Sequence, residues 1–192
     1  MPWIEDLLIL LGIGSDVFAA MECQGSVVRT IEKRRLCLSC LVVAISQILT
    51  FGCGYLAAVF VSVHRDTDNE VFIGHILAVG ILIVLGVRLI LKALKNERID
   101  ERLDLTTGVR QILRLSCTTG GYTFLSGLAL GFLDTTWMDL LTLIPCTTIV
   151  LVATGMYTGF RYGFEEKTKA YIVGAVLLIG VAAELGIRYF TV

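Results

Sequence analysis

Charge is scarce in this chain: Asp, Glu, Lys and Arg make up 17% of its 192 residues, while 56% are hydrophobic. That balance leaves too little polar surface to cover a water-soluble domain and excludes that class. Histidine is scarcer still. His64 lies in a polar turn and His75 at the head of an apolar run, which speaks against a histidine-built metal centre. Of the six cysteines only Cys37 and Cys40 have metal-like spacing, and no second pair lies near them. They read as small apolar side chains rather than a zinc site or a disulfide framework. No nucleotide-binding motif is present, and no nucleophile is paired with a base, so neither an enzyme nor a bound cofactor is expected. A net charge of −1 offers no basic surface to nucleic acid. The first apolar run lacks a basic leader and carries Glu5, Asp6 and Asp16, so it reads as a retained helix rather than a cleaved signal.

What the chain does have is long apolar runs. They fall at about Ile4–Met21, Leu36–Val63, Val71–Leu94, Leu113–Leu133, Leu143–Tyr162 and Ala170–Phe190. At about 1.5 Å per helical residue each can cross a bilayer. The fold class expected is an all-α integral membrane protein of six transmembrane helices, with the lipid bilayer as its surroundings. Positive charges set the orientation. Arg29, Lys33, Arg34 and Arg35 lie between the first two runs. Lys92, Lys95, Arg98, Arg102, Arg110 and Arg114 lie between the third and fourth, and Arg161, Lys167 and Lys169 between the fifth and sixth. The connections between them are poor in Lys and Arg. Both termini are therefore expected outside and the basic loops in the cytoplasm. Residues 1–95 then form a first three-helix repeat, 96–110 a charged cytoplasmic linker, and 111–192 a second three-helix repeat of opposite topology. Two inverted repeats of this kind are a common transporter plan.

Inside the first run stands Asp16, among Gly12, Ser15, Ala19 and Ala20. A carboxylate at that depth is expensive, so it faces the protein interior or an ion path. Glycines four apart, Gly127 and Gly131 and then Gly155, Gly159 and Gly163, suit close helix crossing in lipid. The adjacent pair Gly120–Gly121 is expected to weaken the fourth helix and to free carbonyls for an ion.

These residues resemble the MntP-type manganese efflux pumps, within the broader LysE-like exporter group. The resemblance is carried by Gly12 to Ala20 with Asp16 at its centre and Gly25 beyond, and by Gln47 followed by Gly54-Tyr55. Leu85-Gly86-Val87-Arg88, Gly127 to Phe132, Gly155 with Gly159 to Gly163, and Lys169-Ala170 with Gly174 continue it in order. It implies export of Mn²⁺ or another divalent cation from a bacterial cytoplasm through the plasma membrane, by alternating access of the two halves. Three positions depart from the family's acids. Tyr122 stands where a second Asp is expected, Tyr171 where an acid opens the sixth span, and Lys92 where an acid often ends the third. Asp16 is then the main cation ligand, with Gln47, Tyr122 and Ser126 as neutral oxygens around it. Asp16 and Tyr122 are expected to meet across the two halves. A carboxylate about 4 Å from a divalent ion contributes roughly 8 kcal/mol of gross attraction at an effective dielectric near 20, so losing an acid weakens such a site. The second reading is a non-transporting regulatory or scaffolding membrane protein that keeps the exporter fold. Neither the transported ion nor the oligomeric state is written in the sequence.

Overall fold

The computed structural model describes residues 3–27, 33–62, 68–95, 109–133, 137–163 and 166–190. It holds six helices: α1 (Trp3–Val27), α2 (Lys33–Ser62), α3 (Asp68–Lys95), α4 (Val109–Phe132), α5 (Trp137–Tyr162) and α6 (Lys167–Phe190). Each expected apolar run has become one helix. The linker expected at 96–110 lies outside the described residues up to 108, and residues 109 and 110 open α4. Helix α5 starts at Trp137, ahead of the expected Leu143, because its first turns mix Asp139 and Thr142 with apolar residues and blur the hydropathy edge. The expectation for Gly120–Gly121 is corrected: α4 runs through the pair as unbroken α-helix, so its carbonyls stay within the helix. The helix-propensity cost of two glycines, about 1 kcal/mol each, is offset by packing along the rest of α4. Helix α5 ends at Gly163, whose φ of 76° is the left-handed cap that glycine adopts without strain; its N–H donates to the Gly159 carbonyl at 2.9 Å.

Burial separates the helices into two kinds. Among the described side chains of α1 only Ile4 is exposed, and in α4 only Gly121. Helices α2, α3, α5 and α6 each turn an apolar face outward, with Leu49 and Phe60, Val84 and Leu91, Val150, and Val176 and Ile187 among the exposed side chains. The four outer helices carry stretches long and apolar enough to cross a membrane, at Leu36–Val61, Phe72–Leu94, Leu140–Tyr162 and Lys167–Arg188. The two inner helices carry the polar groups instead. Glu5, Asp6, Ser15, Asp16, Glu22 and Gln24 of α1 are buried, as are Thr119, Thr123 and Ser126 of α4. In a lipid solvent the apolar side chains belong outside and the polar ones within, where they find partners.

The inner helices are held by close backbone approach. Helix α4 packs on α2, and α1 on α5 and α6; α3 packs on α6 and on α4. A Cβ added at Gly127 would fall on the Phe51 carbonyl of α2, and one at Gly54 on the Phe124 carbonyl of α4. The α1–α5 contact repeats the arrangement: a Cβ at Gly155 would lie 2.7 Å from the Phe18 carbonyl, and one at Gly25 would fall on that of Met156. Apolar burial gives helices in lipid little reason to associate, so contacts of this intimacy supply the attraction. Around them Phe51, Leu82, Leu130 and Leu178 are fully enclosed.

Candidate cation site

Asp16 lies midway along α1 and is 2% exposed. Its Oδ1 accepts a hydrogen bond from the Lys92 ammonium of α3 at 2.7 Å. The same ammonium sits 4.2 Å from the ring centroid of Tyr122 on α4 and 5.7 Å from that of Tyr171 on α6. One turn back along α3, the Arg88 guanidinium is 4.8 Å from the Tyr122 centroid. Four helices therefore converge here. Asp16 and Tyr122 each contact the same Lys92 ammonium.

Gln47 and Ser126 belong to a different place. The Gln47 amide donates to Thr119 Oγ1 at 3.4 Å, and the Thr123 hydroxyl donates to Gln47 Oε1. Ser126 Oγ donates to the Thr123 carbonyl at 2.7 Å. With Thr147 and Thr148 of α5 these groups line an enclosed cavity of about 20 Å³ between α1, α2, α4 and α5. That is room for about one water molecule. Val17 and Ile13 form its α1 wall, while Asp16 points around the helix toward α3. The four residues chosen from the sequence are thus divided two and two.

Two other acids of α1, Glu5 and Glu22, have structural employment. Glu5 pairs with Arg188 of α6 at 3.2 Å. Glu22, fully buried, accepts the backbone N–H of Glu166 at 2.9 Å, where α6 begins. A carboxylate at a helix N-terminus satisfies a free donor and complements the helix dipole. Glu184, on α6, is exposed.

Electrostatics then define what the Asp16 site can do as it stands. Asp16 Oδ2 is buried and has no hydrogen-bond partner among the described residues. Among those residues no three His, Cys, Asp or Glu side chains gather as a metal cluster. An ammonium about 4 Å from a divalent ion opposes it by roughly 8 kcal/mol at an effective dielectric near 20, as much as a carboxylate at that distance attracts it. With Lys92 in place, the attraction of Asp16 for a second cation is cancelled.

Sequence comparison bears on this arrangement directly. The family model described as "Putative manganese efflux pump" matches residues 30–185. The chain belongs to the MntP family. A relative named "Putative manganese efflux pump MntP 1" from Wolinella succinogenes is 31% identical over 185 residues, covering 95% of this chain and 96% of that one. Another, "Putative manganese efflux pump MntP" from Acetivibrio thermocellus, is 28% identical over 187 residues, 96% of this chain and 90% of the relative. An alignment of that extent takes in α1 and Asp16 as well. A relative of the same name from Methanosarcina barkeri is 24% identical over 191 residues, covering 96% of each chain. No solved structure matches the chain. Within the MntP frame, the three departures noted in the sequence are seen to be one. Tyr122, Tyr171 and Lys92, each standing where the resemblance leads one to expect an acid, meet at the Lys92 ammonium, which pairs with Asp16. The sequence places Lys92 in the basic third connection and at a position where an acid is expected, and does not reveal its partnership with Asp16; the available signal was an acid inside the first apolar run together with a lysine standing where an acid is expected.

Proposed function

We propose that this chain exports a divalent cation, manganese being the ion for which its relatives are named, through a bacterial plasma membrane. The reading extends to six spans in two inverted repeats, 1–95 and 111–192, joined by a cytoplasmic linker at 96–110. Both termini lie outside, and transport proceeds by alternating access between the halves. The pairing of helices supports the repeat. Exchanging α1 with α4, α2 with α5 and α3 with α6 turns the α1–α5 contact into the α2–α4 contact and α1–α6 into α3–α4. The observation that carries the transport reading is Asp16 itself, a carboxylate buried on an inner helix between the halves. A carboxylate held at that depth is expensive, which favours a cation it serves.

Reconstitution tests the reading. Vesicles containing the purified protein are expected to pass Mn²⁺, read by quenching of an enclosed dye, above the rate of empty vesicles. Absence of flux for Mn²⁺, Cd²⁺, Zn²⁺ and Na⁺ alike would sink it and favour the scaffolding alternative. Orientation is checked separately by cysteine labelling in a cysteine-free background. A membrane-impermeant maleimide added outside intact cells is expected to modify Asp66→Cys and Thr136→Cys. Asn96→Cys and Glu165→Cys should react only after permeabilisation.

A further inference from the structure

We infer that the Lys92 ammonium is the resident occupant of the Asp16 site, a tethered cation with which every transported cation must compete, and that Lys92 thereby sets how tightly the chain binds its cargo. The inference rests on the cation-exporter reading and specifies its selectivity. Three observations carry it. The ammonium makes a direct ion pair with Asp16 at 2.7 Å. It is also cradled by aromatic faces, 4.2 Å from the Tyr122 centroid and 5.7 Å from that of Tyr171, an arrangement that suits an ammonium through cation–π attraction. Finally, the two partners differ in freedom. The Asp16 side chain is 3% exposed and fixed on an inner helix, whereas that of Lys92 is 35% exposed and sits on a flexible stem close to the end of α3 at Lys95. Lys92 is therefore the partner that can leave.

When Lys92 turns outward it uncovers Oδ1 beside the unpartnered Oδ2, and the pair together offers a cation a bidentate carboxylate. An incoming ion must do better at that carboxylate than the ammonium it displaces. A hard divalent ion qualifies through its charge and its preference for carboxylate oxygen. A monovalent ion carries no more charge than the ammonium and must displace a competitor tethered beside the carboxylate, so it is held off. Lys92 is accordingly a specificity-determining residue that acts by its own charge.

The test is equilibrium Mn²⁺ binding to purified protein at one fixed pH, read by loss of the aqueous Mn²⁺ paramagnetic resonance signal. Removing the tethered charge with Lys92→Gln is expected to tighten binding at least tenfold. Lys92→Arg, which keeps the charge, should bind like the parent chain, and the double variant Asp16→Asn with Lys92→Gln should lose the gain. Unchanged or weaker binding by a folded Lys92→Gln would overturn the inference, as would a gain that persists in the double variant. Lys92→Gln leaves Asp16 buried without its partner and can fail to fold in the absence of metal. In that case rescue of folding by Mn²⁺ in the buffer supports the inference. Failure of rescue while the double variant folds overturns it. Binding and flux separate the two claims: a tightened site in a protein that passes no cation leaves this inference standing and removes the transport reading.

Discussion

Asp16→Asn is expected to lower Mn²⁺ transport at least a hundredfold, with the protein still folded. Asparagine keeps the shape and one oxygen but removes the charge that a divalent ion seeks, a gross attraction of roughly 8 kcal/mol at about 4 Å. The hundredfold loss corresponds to about 2.7 kcal/mol in the rate-limiting barrier, well under that bound because the ion must shed its own water and displace the Lys92 ammonium before it gains that attraction. Folding is spared for a reason particular to this pair. Breaking a buried ion pair costs about 3–5 kcal/mol when an uncompensated charge is left inside. Here the survivor is Lys92, at 35% side-chain exposure, and its long stem lets the ammonium turn to water. Initial flux into vesicles, together with the elution profile and thermal unfolding of the same preparation, checks both halves of the prediction. Flux that survives Asp16→Asn would leave export intact and move its site elsewhere.

Gly127→Leu is expected to prevent assembly of the helix bundle. The first added carbon would fall on the Phe51 carbonyl of α2, with the Tyr55 backbone nitrogen 3.1 Å away. Backbone cannot rotate aside as a side chain can, so α2 and α4 must separate. Overpacking of ordinary cores costs about 1–3 kcal/mol. A clash of main chain along a whole helix contact exceeds that range, against a total stability of roughly 5–15 kcal/mol for a typical domain. The expected result is loss of monodisperse protein on extraction. Gly80 and Gly121 supply the control, since a Cβ at either meets nothing within 4 Å. Alanine there is expected to be neutral or to raise the unfolding temperature slightly, through helix propensity of up to about 1 kcal/mol. If Gly127→Leu extracts as cleanly as Gly121→Ala, the close α2–α4 crossing is wrong.

The six helices were legible in the sequence because apolar runs stand out between charged connections, and among the described residues four of them carry stretches long and apolar enough to cross a membrane. Their ends were less so. Trp137 to Thr142 opens α5 with polar residues among apolar ones, which hydropathy smooths away. The site was half legible. Asp16 announced itself as a charge in an apolar run, and the family resemblance drew Tyr122 to the same place. Gln47 and Ser126 are polar at comparable depth, but depth does not report the face of a helix. They turn toward Thr119, Thr123 and α5 instead. Lys92 near the end of α3 belongs, by sequence, to the basic third connection and stands where an acid is expected. Its contact with Asp16 joins residues 76 apart in sequence, a relation that composition and periodicity along single helices do not contain.

The pairing of α1 with α5 has a consequence for the order of synthesis. The helix that carries Glu5, Asp6, Asp16 and Glu22 is the first of the six to be made, yet its main partners are α5 and α6. At about 5–20 residues per second, something on the order of ten seconds separates the appearance of α1 from that of α5. Throughout that interval the acids of α1 have neither Arg188 nor the start of α6 to meet, and Lys92 arrives only partway through it, with α3. The nascent chain must hold its most acidic helix at the membrane boundary, or shelter it within the insertion machinery, until the last helices emerge. Truncation before α5 therefore leaves an orphaned acidic helix, a ready mark for membrane-protein quality control.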